Sequence, residues 1–500
     1  MKYVHSLRRP VGVALSLSLA LGLTACATQD DIQPTLSRVQ AGHVGLQEPA
    51  DSSTPFVLAE VPAWWRSLGD AQLDALVERA LNDNPSLQTA AARVRQAQSG
   101  VVLAGAATSP AVQLKGQVDR QHFPEQGLYP APIAGASATM GTLELEGSWE
   151  WDLFGKHRAE LDAAVGQTRA AQADAQASRW WLSTQVVRTY VQLGRLQAQV
   201  AVAQRTLAQR DEVFRLVRQR VEQGLDSRIE LKQSESGLPD TRTQIEALQE
   251  QVMLTRHALA VMTGQGPTAL DGLVVRLEGL TLPETPARMP LALLSHRPDL
   301  MAALWRAQAA QKSAQATRIA LFYPNIDLVG YAGYNAIGLG NVLKPGNAQW
   351  GLMPAITLPL FDGDRRRAHM QSEVSQEDLA IATYNQVVQQ AAQDAVDQLG
   401  SVQSVTRQQQ TQREAQASAE AAYESARARY EAGLTGYLNV LSAETAVLAQ
   451  RRAAVDLQGR ALDARIGLIR ALAGAQSQAE PGVQPPSTSN ARSSLTEVSS

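Results

Sequence analysis

The sequence predicts a mixed α/β membrane protein assembled from two copies of one unit, and three observations carry that expectation. The motif RVEQGL over residues 220–225 returns as RYEAGL over 429–434, so Gly224 and Gly433 stand 209 positions apart. Two long stretches, about 156–222 and 364–431, hold no proline and would make helices of about 100 Å each at 1.5 Å per residue. Four short segments alternate apolar and polar side chains, the period of a sheet with one apolar and one wet face.

The N-terminus comes first. Lys2, Arg8 and Arg9 precede an apolar run from Val11 to Leu23, followed by LTAC over residues 23–26. A bilayer span needs about 20 apolar residues, so this run reads as a signal peptide over 1–25. The tetrapeptide resembles the lipobox of bacterial lipoproteins, which makes Cys26 the lipidated first residue of a mature extension over 26–65. Ala27, rather than an aspartate, follows it, which in that class points to the outer membrane. No later stretch offers about 18 unbroken apolar residues.

The first copy spans 66–285. Pro85 opens a helix that runs to about Ala107. Strands are expected at about 111–121 and 142–152. In the first, Val112, Leu114 and Val118 alternate with Gln113, Lys115, Gln117 and Asp119; in the second, Leu143, Leu145, Trp149 and Trp151 oppose Glu144, Glu146, Ser148, Glu150 and Asp152. A Gly/Pro/Ala-rich loop over 123–139 joins them. Long helices follow at about 156–222 and 227–263. In the first of these Leu193, Val200, Leu207, Phe214 and Val221 recur every seven residues, with Leu196, Ala203 and Val217 between them, as in a coiled-coil seam.

The second copy, 286–475, repeats the order: strands at about 325–335 and 349–358 around a loop over 337–348, then helices at about 364–431 and 437–473. Pro354 and Pro359 predict a last strand frayed at its end. The Ser/Pro/Gln-rich segment 476–500 reads as a disordered tail.

Composition excludes several function classes. Over 500 residues, 45 Lys+Arg against 48 Asp+Glu leave a net charge of −3, which suggests no polyanionic partner. Cys26 is the single cysteine, so no internal disulfide or thiol metal pair is possible. His5, His43, His122, His157, His257, His296 and His369 lack metal-ligand spacing, and no phosphate loop or nucleophile elbow is present. No catalytic residue, metal or cofactor is therefore expected, and energy has to come from a partner.

Four amphipathic strands cannot close a membrane barrel, which needs about eight or more, and open strand edges cannot be left in lipid. If these strands sit in a bilayer, several chains share one barrel. Trp149, Trp151, Tyr331, Tyr334 and Trp350 then fall where an aromatic girdle would lie.

An ordered set of motifs now carries a resemblance: WWRSLGDAQLD at 64–74, WEWDLFG at 149–155, RPDL at 297–300, LPLFDG at 358–363 and RYEAG at 429–433. The chain resembles the TolC-type outer-membrane factors over about residues 20–475, and more closely their lipoprotein branch serving resistance–nodulation–division efflux pumps. The resemblance implies a homotrimer with a 12-stranded β-barrel, four strands per chain, continuous with a 12-helix periplasmic α-barrel. It implies a periplasmic adaptor (a membrane fusion protein) and an inner-membrane pump as partners, and a role as exit duct for small molecules such as drugs. A duct for an ABC-type protein secretion system and a non-conducting, envelope-spanning lipoprotein are the alternatives.

Site residues follow from the same resemblance. Gly224, Leu225, Gly433, Leu434 and Thr435 fall at adaptor-contacting helix tips. Tyr430, Glu230, Asn439 and Ser442 fall at a periplasmic gate; Ser442 stands where many relatives carry aspartate, which thins the acidic ring. Glu144, Glu146 and Glu150, each present three times in a trimer, would line the barrel lumen and favour cations modestly.

Overall fold

The computed structural model describes residues 32–39, 63–126, 129–280, 282 and 297–472. Cys26, the signal peptide and the tail over 476–500 lie outside them. After a 3-10 turn at Trp64–Leu68 come helices α1 (Ala71–Asp83) and α2 (Pro85–Ala106), then strands β1 (Ala111–His122) and β2 (Ser137–Glu150). The very long α3 (Lys156–Glu222) and returning α4 (Arg228–Met262) complete the first half. The second half gives α5 (Pro298–Phe322), β3 (Asn325–Ile337), β4 (Ala348–Thr357), the equally long α6 (Arg365–Glu431) and α7 (Tyr437–Ala471). Among the described residues, no helix is long and apolar enough to cross a membrane.

The chain divides into two compact units that cut across the repeat, each drawing residues from both halves. The long helices α3 and α6 contribute their first parts to one unit and their remainders to the other.

The first unit takes in residues 81–179 and 297–393 and holds the sheet. All neighbouring strands are antiparallel, in the order β1-β2-β3-β4. β2 starts at Ser137 rather than near 142, because the hairpin ladder continues until His122 meets Ser137. β4 does not fray at Pro354, which stays in register opposite Leu328, and the strand runs on to Thr357.

One sheet face is apolar and bare. Trp350, Ile356 and Val112 are 81%, 75% and 72% exposed, and Leu114, Leu145 and Leu352 join them on that side. So extended an apolar surface is what a lipid-facing strand band presents. Tyr331 departs from the expected girdle: the register sets it across from Glu146, on the polar face, where its ring lies against Gly351.

In the same unit an extended segment over 32–39 is strapped to α5 and α6. Asp378 accepts from the Thr35 amide (3.1 Å), the Thr35 hydroxyl (2.8 Å) and the Leu36 amide (2.9 Å). Asn385 pairs with the Val39 amide and the Ser37 carbonyl, and Arg318 donates to the Ile32 carbonyl. Ile32 packs beside Ala314, Met370 and Val374.

The second unit takes in the described residues among 63–80, 180–282 and 394–472. Its buried stripe on α3 differs from the expected seam. Leu193, Leu196, Ala203 and Val217 are buried, but Val200, Leu207, Phe214 and Val221 are only half-buried, and Thr206 and Val213, one position before Leu207 and Phe214, lie in the core instead. A straight α-helix drifts about 20° per heptad against a strict seven-residue repeat, so the buried face moves off the first series. Tyr190 donates to Asp70 at 2.6 Å, and Trp64 packs on Trp180 with ring centroids 6.2 Å apart.

Candidate functional site

The two helix-to-helix turns of the second unit close by the same mechanism. After α3, the Leu225 amide donates to the Arg220 carbonyl (2.9 Å) and the Gly224 amide to that of Val221 (3.0 Å). After α6, Leu434 donates to Arg429 (2.8 Å) and Gly433 to Tyr430 (2.9 Å). This pair of bonds is the Schellman arrangement, which needs a left-handed residue just past the helix; Gly224 and Gly433 both have φ +74°. The next residue normally folds back on an apolar partner three positions inside the helix. Here that partner is an arginine in both turns, so Leu225 and Leu434 stay 61% and 71% exposed.

The restarts differ. Ser227 caps α4: its Oγ accepts from the Ile229 amide at 3.1 Å, and Glu230 reaches back to the Ser227 amide at 3.0 Å and to its hydroxyl, completing a capping box. These bonds hold the Glu230 carboxyl below its usual range, the Ser227 hydroxyl being the largest cause. At α7 the cap position is Gly436, without a side-chain bond, and Asn439 turns back to the Thr435 hydroxyl at 2.5 Å.

Beneath the turns lies a buried polar network on an apolar bed. Tyr430, fully buried, donates its hydroxyl to Asp226 Oδ2 at 2.5 Å. Arg220 donates through Nε to the same oxygen at 2.9 Å and through Nη1 to the Tyr430 carbonyl at 3.3 Å, and its guanidinium sits 4.8 Å from the Tyr430 ring centroid. Burial first, then the bond to Asp226, pushes the Tyr430 phenol above its usual value. The Tyr437 ring lies 6.0 Å from that of Tyr430, and Val213, Val217, Tyr423, Val440 and Val447 fill in below. The network ties the end of α3 and its turn to the last residues of α6.

Of the expected gate residues, Tyr430 alone enters this network. Glu230 and Asn439 do not meet; each is held in its own turn, and Ser442 is exposed on α7. Asp226 and Arg220 were missed by sequence reasoning, although the Ser227-to-Glu230 spacing was a legible capping signature.

In the sheet, Glu144, Glu146 and Glu150 share the polar face, but each has a partner. Glu144 meets Lys115 at 3.6 Å and Gln349 at 3.0 Å; Glu146 meets Gln113 at 3.3 Å; Glu150 meets Lys156 at 2.7 Å and His157 at 3.3 Å. The expected negative lining is thus partly neutralised by cations on β1 and at the start of α3.

Among the described residues no group of three or more His, Cys, Asp or Glu could hold a metal ion. The profile of the family described as "Outer membrane efflux protein" matches twice, over residues 76–265 and 290–474. The fusaric acid resistance protein FusA of Burkholderia cepacia is 33% identical over 71% of this chain and 67% of its own length. The multidrug resistance outer membrane protein MdtP of Shigella flexneri is 30% identical over 84% of this chain and 88% of its own. Among solved structures, the outer membrane protein VceC of Vibrio cholerae superposes with a TM-score of 0.78 at 33% identity, covering 82% of this chain and 98% of that one.

Proposed function

Because the chain belongs to the outer membrane efflux protein family, whose members are exit ducts and not enzymes, we propose a specific division of labour among its residues. Channels of this fold are trimers: four strands per chain close one β-barrel in the outer membrane, and the helices form the long periplasmic part. Such ducts work with an adaptor and an inner-membrane pump.

Cys26 carries the lipid anchor. The pump is of the resistance–nodulation–division class and the cargo is small toxic compounds; FusA and MdtP, named for resistance, support that cargo. The exposed Leu225 and Leu434, held out by Gly224 and Gly433, and the half-exposed Thr435 beside them meet the adaptor. The periplasmic gate lies just beneath, where Tyr430 is clamped by Asp226 and Arg220, with Glu230, Asn439 and Ser442 around its mouth. Glu144, Glu146 and Glu150 line the lumen with only modest cation preference, since Lys115 and Lys156 offset them. The observation that carries this reading is the buried Asp226–Tyr430–Arg220 network directly beneath two protruding leucines: a closing element beside a docking element.

Planar-bilayer conductance of the full-length protein tests it. Small, discrete steps that enlarge in Tyr430→Ala are expected. A protein that inserts yet conducts identically with Tyr430 and Asp226 both replaced would place the gate elsewhere. For the anchor, Cys26→Ser should lose radiolabelled palmitate, and retention of label would remove Cys26 from its role.

A further inference from the structure

Arg210 lies ten residues before Arg220 on α3, about 15 Å back along the helix. It is the meeting point of three helices. Its Nε donates to Glu444 Oε1 on α7 at 3.1 Å, and its Nη1 donates to the Gly237 carbonyl and the Thr241 hydroxyl on α4, both at 2.9 Å. The Glu444 side chain is 8% exposed and that of Arg210 17%. A Cβ on Gly237 would come within 3.4 Å of Arg210 Nη1, so the glycine leaves just enough room for the guanidinium.

The other titratable groups around the pair are few. Asp240 on α4 is 3.8 Å from Arg210. Tyr437 shares α7 with Glu444, and Tyr423 approaches from α6 with its buried hydroxyl unpartnered. A cleft of about 270 Å³, lined in part by Ser234, Ser236, Asp240 and Tyr437, reaches Arg210 and Glu444 and is roomy enough for water.

The pair is not a product of the duplication. At the repeat offset, Arg210 corresponds to Ala419 and Glu444 to Glu235. Ala419 packs on the apolar cluster, and Glu235 is a surface residue paired with Lys232. One of the two pseudo-equivalent places therefore received a buried ion pair and the other did not. Such a pair adds little net stability, because desolvation offsets attraction, but separating its partners leaves an uncompensated buried charge, which penalises any arrangement of the helices that parts them.

We propose that Arg210 and Glu444 are positioning residues for the closed duct, a second latch that ties α7 to α3 and α4 deeper than the Asp226–Tyr430–Arg220 network. This rests on the reading of the tip as a gate. Release of α7 would let water from the cleft hydrate both charges. Burial pushes the Glu444 carboxyl up, and the Arg210 guanidinium draws it only part of the way back. The sign follows by linkage: a carboxyl that holds its proton better when buried than when hydrated favours the latched arrangement as pH falls.

Single-channel recordings of the full-length protein at pH 7.5 and 5.5 test this. Arg210→Met strands a buried carboxylate, so open probability should rise about tenfold or more at pH 7.5 and return towards wild type at pH 5.5. Glu444→Gln keeps an acceptor for Nε without the charge; it should stay closed and lose the wild-type response to pH. The latch is overturned if Arg210→Met is as closed as wild type at pH 7.5, or if its extra opening persists at pH 5.5. If Tyr430→Phe opens the duct while Arg210→Met does not, the latch fails and the tip gate stands; if neither alters conductance, the tip gate fails as well. Should Arg210→Met not assemble, identical pH profiles for wild type and Glu444→Gln would overturn the latch.

Discussion

Tyr430 donates its phenolic hydrogen to Asp226, 204 residues earlier in the chain, and Arg220 bonds to the same carboxylate oxygen. One oxygen thus joins the turn after α3 to the end of α6. Hydrogen bonds to a charged acceptor contribute about 1.5–3 kcal/mol, and 1.4 kcal/mol is a tenfold change in an equilibrium. Tyr430→Phe should therefore raise open probability about tenfold in bilayer recordings while leaving heat-stable trimers intact. Unchanged recordings would show that the contact is structural only.

The cap of α4 predicts a local effect. Ser227→Ala removes the acceptor for the Ile229 amide and should cost about 1 kcal/mol. Hydrogen exchange should quicken over residues 228–232 and leave 437–441 as in wild type. Glu230→Gln keeps a side chain that can complete the capping box, so its exchange should change little. Strong deprotection in Glu230→Gln would mean that charge, not geometry, maintains the cap.

Gly433 supplies the left-handed residue that the turn after α6 demands. A β-branched replacement there costs about 1–2 kcal/mol. In Gly433→Val, faster exchange of the Leu434 amide should accompany weaker cross-linking of tip cysteines to the adaptor, whereas Gly436→Ala, outside the left-handed region, should do neither. Equal effects from the two changes would exclude backbone strain as the cause.

The strap over 32–39 should respond to acid in one direction. Hydrogen bonds from the Leu36 amide and Thr35 hold the Asp378 carboxyl below its usual range. A depressed value means that the strap's hold is complete above the ordinary aspartate range, about 4, and is lost as pH falls through the folded value. Proteolysis within 32–39 should therefore stay slow at pH 5 in wild type and be fast at pH 5 in Asp378→Ala. A strap equally resistant in the variant would owe nothing to Asp378.

Much of the fold was legible because its signals are local. The ends of α3 and α6 follow from the repeated Gly224-Leu225 and Gly433-Leu434 motifs at the close of long proline-free stretches, and three of the four strands begin within a residue of where alternation placed them. The exception, β2, begins at Ser137 because pairing with β1 continued a ladder that the sequence of 137–141 does not announce. The site was less legible because its bonds are distant. Nothing near Asp226 marks it as the partner of Tyr430, and nothing near Glu444 says that its carboxylate is buried against Arg210. Glu230 was read by its place in the repeat, while its conformation was decided by Ser227, three residues away.

The unequal caps of α4 and α7 have a consequence for the assembled end of the duct. Three chains with two turns each present six knuckles, which a duplicated ancestor would have made alike. Ser227 and Glu230 cap one kind with side-chain bonds, and Gly436 leaves the other without a side-chain cap. A ring of identical hairpins meeting all six would find two chemically different seats in alternation, so the end of the duct is three-fold despite its six-part outline.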